Sequence, residues 1–165
     1  MAHLNDFMTR IDFSVLNDYV VAKGKSILYP RGERLVQQGN LCRYVGIVKS
    51  GYFKCVALNS KGDEVVTGFS FEGEVVTDYV QGFLYDRPSL TSIVAGCDAE
   101  VQRVLIEDAR RFIIERNPGF VAEVSFNLFL CVAPEHLPFN RNALIRNYKC
   151  YKTQGDKKYS INYYG

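Results

Sequence analysis

The stretch GEVVTDYVQGFLYDRPSLT, residues 73–91, decides how this chain folds and what it can hold. Gly73 and Glu74 read as a turn, the apolar residues that follow have room for one short helix, and Asp86, Arg87 and Pro88 break the pattern before a new strand. A turn, a short helix and a strand in this order can cradle a phosphate, because backbone N–H groups at a helix start point at one spot. The same arrangement without its anion anchor is only architecture. The sequence on either side separates the two readings.

Upstream and downstream, residues 27–106 carry short runs rich in Val, Ile, Tyr and Phe between Gly, Asn and Asp punctuation, the signature of many short strands. Residues 44–48 are expected to meet 52–56 in a hairpin across Lys49, Ser50 and Gly51. Residues 59–63 (NSKGD) form the next turn. Beyond it Val65, Thr67, Phe69 and Phe71 alternate with Val66, Gly68 and Ser70, which predicts a strand buried on one face. Gly96, Cys97 and Asp98 separate two final strands, 91–95 and 101–106. About eight strands in eighty residues predict a β-sandwich or jelly roll.

Helices flank the strands. Leu4, Phe7, Met8, Ile11, Phe13, Leu16 and Tyr19 recur at helical spacing until Gly24 ends the pattern. After the last strand, Glu107 or Asp108 is expected to cap a helix that turns Phe112 and Ile113 to the sheet. Asn117-Pro118 reads as the start of another helix, with Val121, Val124, Leu128 and Cys131 as its apolar stripe and Pro134 and Pro138 as its end.

With 165 residues, 47% of them hydrophobic, and a formal charge of +2, the composition is that of an ordinary globular protein, too weakly charged to imply nucleic acid. The N-terminus lacks the basic start and apolar run of a secretory signal, and no stretch is long enough to span a bilayer, so the expected location is cytoplasmic, with no membrane partner. Cys42, Cys55, Cys97, Cys131 and Cys150 are widely spread and read as reduced thiols, not as a disulfide framework or metal site. The two histidines, His3 and His136, lie outside the strand region, so a metal-dependent jelly-roll enzyme is not expected. No nucleophile or phosphate-loop motif is present, and the chain is read as non-enzymatic.

The order helix, eight-strand roll, helix, longer helix resembles the cyclic nucleotide-binding domain of Crp/Fnr-type transcription regulators. The residues that carry the resemblance are LYPRGE (28–33) and LVQQG (35–39) as opening strands, YVGIVKSG (44–51) as central strand and turn, and the helix from Phe112 that ends in Asn117-Pro118. It implies a mainly β fold with flanking helices, a double-stranded β-helix or jelly roll spanning about 25–106. The cyclic nucleotide-binding-like domain would run over 1–133, followed by a basic and aromatic extension at 134–165. It also implies a homodimer through the helix after Pro118.

In that family a Gly-Glu-Leu turn and short helix lead to Arg-Ser-Ala or Arg-Thr-Ala: the Glu holds the ribose and the Arg pairs with the cyclic phosphate. Here Thr77, Asp78 and Tyr79 stand for Gly-Glu-Leu, and the Arg position falls on Pro88, followed by Ser89 and Leu90. Arg87 is one place early, and neighbouring strand positions face opposite ways. If Arg87 is taken as the anchor instead, Pro88 replaces the Ser and removes both a hydroxyl and an N–H. Losing such a charged partner costs on the order of 2–5 kcal/mol, or roughly 30- to several-thousand-fold in affinity. Three readings stay open: a cassette with no ligand, which is preferred, a different small-molecule effector, and cyclic nucleotide, which is disfavoured; no other cofactor is implied.

The iron–sulfur branch of the same regulators has an N-terminal cysteine cluster, whereas the first cysteine here is Cys42. Residues 139–165 mix Arg and Lys with tyrosines but show no helix-turn-helix pattern, so DNA contact is expected only through another domain or a partner chain.

Overall fold

Val, Ile and aromatic residues fit a pleated surface that buries one face, and the runs rich in them become eight strands. The computed structural model describes residues 12–122. The elements are α1 (Ser14–Lys23), β1 (Lys25–Tyr29), β2 (Arg34–Val36), β3 (Tyr44–Ser50), β4 (Phe53–Leu58), β5 (Glu64–Ser70), β6 (Val75–Val76), a π-helix (Tyr79–Leu84), β7 (Ser92–Ala95), β8 (Ala99–Leu105) and α2 (Ile106–Arg116). The strands make two antiparallel four-stranded sheets, ordered β1-β8-β3-β6 and β2-β7-β4-β5. Of the connections between successive strands, only β4–β5 stays within one sheet. This back-and-forth path is the expected jelly roll.

The hairpin expected between residues 44–48 and 52–56 is not formed. β3 pairs with β6 and β8, whereas β4 pairs with β5 and β7 in the other sheet. Lys49, Ser50 and Gly51 turn a corner between sheets instead. Gly51 has φ +80 and lies so close to Ala99 that a Cβ would come within 2.7 Å of it, and its N–H goes to Glu72 Oε1. A corner and a hairpin use the same turn residues. What decides is the burial of Val45, Ile47 and Val48, which makes β3 a central strand that needs neighbours on both sides.

The β4–β5 hairpin is closed as expected, by Asn59 Oδ1, which accepts the N–H groups of Lys61 and Asp63. Within it one extra residue, Thr67, separates the pairs Cys55–Gly68 and Val56–Val66. This bulge reverses the strand's inside and outside. Phe69 and Phe71 are buried, but Val65 and Thr67, expected on the same face, are exposed.

The roll is filled by Phe53, Phe83, Ile93, Val45, Val48, Val76 and Val101, while α1 adds Leu16 and Val20, and α2 adds Ile106, Ala109 and Ile113. Complete burial of one such large side chain is worth about 1.5–3 kcal/mol. Gly24 ends α1 with its N–H on Val20 O, and the rings of Tyr19 and Phe112 join the two helices at 4.3 Å. Phe112 itself stays half-buried, and Ile113 is the residue that faces inward.

α2 starts two or three residues earlier than expected, with Leu105 rather than Glu107 or Asp108 at the cap and no side-chain bond there. Glu107 and Asp108 sit within the first turn, where a negative charge suits the helix dipole. Asn117, expected to begin the next helix, instead closes α2 through its N–H to Ile113 O. Pro118 and Gly119 form a turn, and residues 120–122 are helical. Of the stripe expected there, Val121 is half-buried; Val124, Leu128, Cys131 and the 134–165 extension lie outside the described residues.

Candidate functional site

Residues 72–91 form a closed cassette on the edge of the β1-β8-β3-β6 sheet. It starts at a turn where Gly73, at φ +81, gives its N–H to Val48 O, and Val48 returns one to Glu74 O. The carboxylates of Glu72 and Glu74 hold backbone donors: Gly51 N–H at 3.2 Å and Phe71 N–H at 2.9 Å. β6 then pairs with β3. Thr77 is buried, with its hydroxyl donated to Tyr44 O at 3.1 Å.

Asp78 caps the π-helix. Its Oδ1 accepts the N–H of Gln81 at 3.0 Å, and its backbone carbonyl accepts that of Phe83, five residues on. Gly82 lies against Cys42, where a Cβ would come within 2.9 Å of the Cys42 Cβ, so only glycine lets the helix sit this close. Tyr79 packs its ring on Phe13 at 5.9 Å and gives its hydroxyl to Val75 O. Burial, and then the charge of Glu74, hold that hydroxyl well above the usual tyrosine range.

The chain leaves the helix through Asp86, at φ 51, a backbone state that Asp tolerates better than most residues. Arg87 gives its backbone N–H to Gln81 O, while its exposed guanidinium lies 5.5 Å from the Tyr85 ring centroid. Among the described residues it makes no ion pair. Pro88 is exposed and bridges to Leu41. Ser89 is 1% exposed: its N–H goes to Asn40 O, its carbonyl accepts from Gly39, and its hydroxyl meets Asp78 Oδ2 and Thr91 O. A hydroxyl has one proton, so these two acceptors share it. Leu90 points outward at 67% exposure.

Of the six residues expected at the site, the structure therefore brings Thr77, Asp78, Tyr79 and Ser89 together and leaves Arg87 and Leu90 at the surface. Beside the cassette lie two neutral thiols. Burial raises Cys42, and burial followed by the charge of Asp78 pushes Cys55 up to about 11. One residue of the site goes unnoticed in the sequence. Arg110 of α2 reaches back to the end of the π-helix and donates Nε to Phe83 O and Nη2 to Gly82 O, both at 2.8 Å. Its only sequence signal is a cation beside the apolar stripe Ile106, Ala109 and Ile113, and backbone acceptors carry no signature of their own.

A family model of the cyclic nucleotide-binding domain matches residues 26–116, more than half of the chain and all of the cassette. The chain belongs to the cyclic nucleotide-binding domain family. This is a family of regulatory binding domains, not of enzymes. No curated protein matches the sequence.

Among solved structures, the domain is similar to the catabolite activator protein of Thermus thermophilus, at 21% identity and TM-score 0.54 over 83% of this chain and 58% of that one. It is also similar to the regulatory subunit of a cAMP-independent protein kinase A from Trypanosoma brucei, at 18% identity and TM-score 0.54 over 90% of this chain and 49% of that one. The N-terminal domain of a transcriptional regulator from Streptomyces coelicolor A3(2) matches at 14% identity and TM-score 0.52, over 95% of this chain and 96% of that one. These likenesses show the fold. The chain spans less than two thirds of the length of the first two.

Among the described residues no helix is long and apolar enough to cross a membrane.

Proposed function

We propose that this is a non-enzymatic regulatory domain whose cassette keeps its shape without cyclic nucleotide. The observation that carries the reading is the self-satisfied state of the cassette. Gln81 N–H is taken by Asp78 Oδ1, Ser89 N–H by Asn40 O, and the Ser89 hydroxyl by Asp78 Oδ2. Pro88 has neither a donor nor a charge to offer. An incoming cyclic phosphate would have to displace a carboxylate and would meet that negative charge at short range.

Cyclic nucleotide binding is the second reading. Family membership favours it, as does Arg87, a cation at the cassette with no ion pair among the described residues. The Trypanosoma brucei subunit gives a chemical parallel: a variant with three substitutions, one of them threonine to arginine, is bound to cAMP.

The domain would act through a different small-molecule effector or as a ligand-free interaction module. A homodimer would form through the helix after Pro118, and DNA would be reached only through a further domain or a partner chain. A thermal-shift screen over cyclic nucleotides, haem and small anions tests the proposal. No shift with millimolar cAMP or cGMP is expected, and a shift of several degrees with either would favour the second reading.

A further inference from the structure

Arg103 stands in a row of strand positions that is otherwise apolar. Strand residues alternate faces, so Ala99, Val101 and Arg103 of β8 share the face that fills the roll. Ala99 and Val101 are buried there, whereas Arg103 is half-buried at the end of the row. Its guanidinium carbon lies 3.7 Å from the centroid of the Tyr44 ring, so the ring covers one face of the guanidinium plane. Nη1 donates to the hydroxyl of Tyr29, which is buried and held by an edge-on contact with Phe53 at 5.4 Å.

The group is rich in donors. A guanidinium carries five N–H donors, and among the described residues only the one to Tyr29 is used. Burial, the largest influence on Tyr29, raises its hydroxyl above the usual tyrosine range, so it keeps its proton at neutral pH. Lys25 of β1 is exposed and lies directly opposite Arg103 in register, so the two cations share a face. Neither makes an ion pair among the described residues; Glu33, whose charge reaches Tyr29, is exposed and is a partner of neither. Like charges opposed on neighbouring strands are destabilising, and an anion held by both removes that cost. Leu105, partly exposed and opposite Tyr44, gives the same face an apolar border.

We propose that Arg103, Lys25 and Tyr29 form a binding site for a small organic dicarboxylate, built on β1 and β8 and not on the cassette. The planar fork of Arg103 matches one carboxylate bidentately, which a spherical or tetrahedral anion does not exploit as well. The Tyr29 hydroxyl, already accepting from Nη1, has its own proton to give to the same carboxylate. Lys25 takes the second carboxylate, and Leu105 and the Tyr44 ring border the carbon chain between them. The site goes beyond the functional reading above and holds whether or not a nucleotide enters the cassette.

Isothermal titration of the full chain at constant ionic strength, with succinate, acetate and inorganic phosphate as probes, tests the site. Succinate should bind with a dissociation constant of about 1 mM or tighter, and acetate at least about tenfold more weakly. Arg103→Lys keeps the charge but loses the fork, and should weaken succinate about tenfold or more. Lys25→Ala should bring succinate down towards the level of acetate. The proposal is overturned if succinate shows no binding at about 10 mM, if phosphate binds as tightly as succinate, or if either substitution leaves succinate binding unchanged. Should Arg103→Lys fail to fold by circular dichroism, the exposed Lys25→Ala carries the comparison. The probes carry no nucleotide, so their failure to bind would leave the reading of the cassette untouched.

Discussion

Ser89, almost completely buried, turns its hydroxyl onto the Asp78 carboxylate eleven residues upstream and closes the cassette on itself. The resemblance to Crp/Fnr-type regulators implies that, in those proteins, the acidic residue at this place holds the ribose and an Arg pairs with the phosphate. Here the two partners serve each other. On the proposed reading, this side-chain pair holds the cassette together without a ligand.

Ser89→Ala should therefore destabilise the fold. The bond is to a carboxylate, and Asp78 is half-buried, so the expected loss is about 1–3 kcal/mol. Urea denaturation of the variant against the native chain measures it. Unchanged midpoint and slope would mean that the pair is incidental.

Pro88→Arg should bring cAMP binding up from undetectable to a measurable level. The substitution supplies a guanidinium and a backbone N–H together at the position where the family pattern has its anchor. Asp78 and Ser89 still compete, so the gain should fall short of a native site, at about tenfold or more over the unaltered chain. Combining it with Asp78→Glu, which restores the longer acidic side chain of the family pattern, should add to the gain. No binding by either variant would show that the register through Asp78 is misassigned.

The path of the chain through the roll was readable where one residue type has one use. Asn59 at the β4–β5 turn and Gly24 after α1 stand where the sequence puts them, because their side chains, or the lack of one, fix the local backbone. The corner at Gly51 and the bulge at Thr67 were not readable. Both depend on which strand lies alongside, and strand pairing is settled by burial across the whole roll. The cassette divides in the same way. The expectation that the anchor position falls on Pro88 comes from the sequence, whereas the Asp78–Ser89 closure and the Arg110 clasp are contacts between distant positions that no local pattern announces.

Gly96→Ala should be among the more damaging small changes in the roll. A Cβ at this position would lie 2.0 Å from the Tyr52 ring, which is itself 5% exposed and cannot swing clear. Overpacking of this kind costs about 1–3 kcal/mol, which lowers the melting temperature by several degrees in a domain of this size. Differential scanning calorimetry reads it directly, and an unchanged melting temperature would contradict the packing.

Cys42, which is buried, and Cys55, which is half-buried, should resist alkylation. At pH 8 a thiol raised to about 11 is thiolate in about one molecule per thousand, so Cys55 should react with iodoacetamide far more slowly than an ordinary cysteine. Cys42 is 4% exposed and should be slower still than its raised pKa alone implies. Raising the pH from 8 towards 11 converts more Cys55 to thiolate, so its rate should climb by up to about tenfold per pH unit, provided that the fold persists. Peptide mapping by mass spectrometry separates the sites. Rapid labelling of Cys42 or Cys55 at pH 8 would mean that the roll opens beside the cassette.

Isothermal titration of the full chain with cAMP and with cGMP tests the central claim most directly. A cassette whose donors are already held by Asp78 and Asn40, and whose anchor position is Pro88, should show no binding tighter than about 1 mM, roughly −4 kcal/mol. A dissociation constant of about 10 μM or below for either nucleotide, near −7 kcal/mol, would contradict the account.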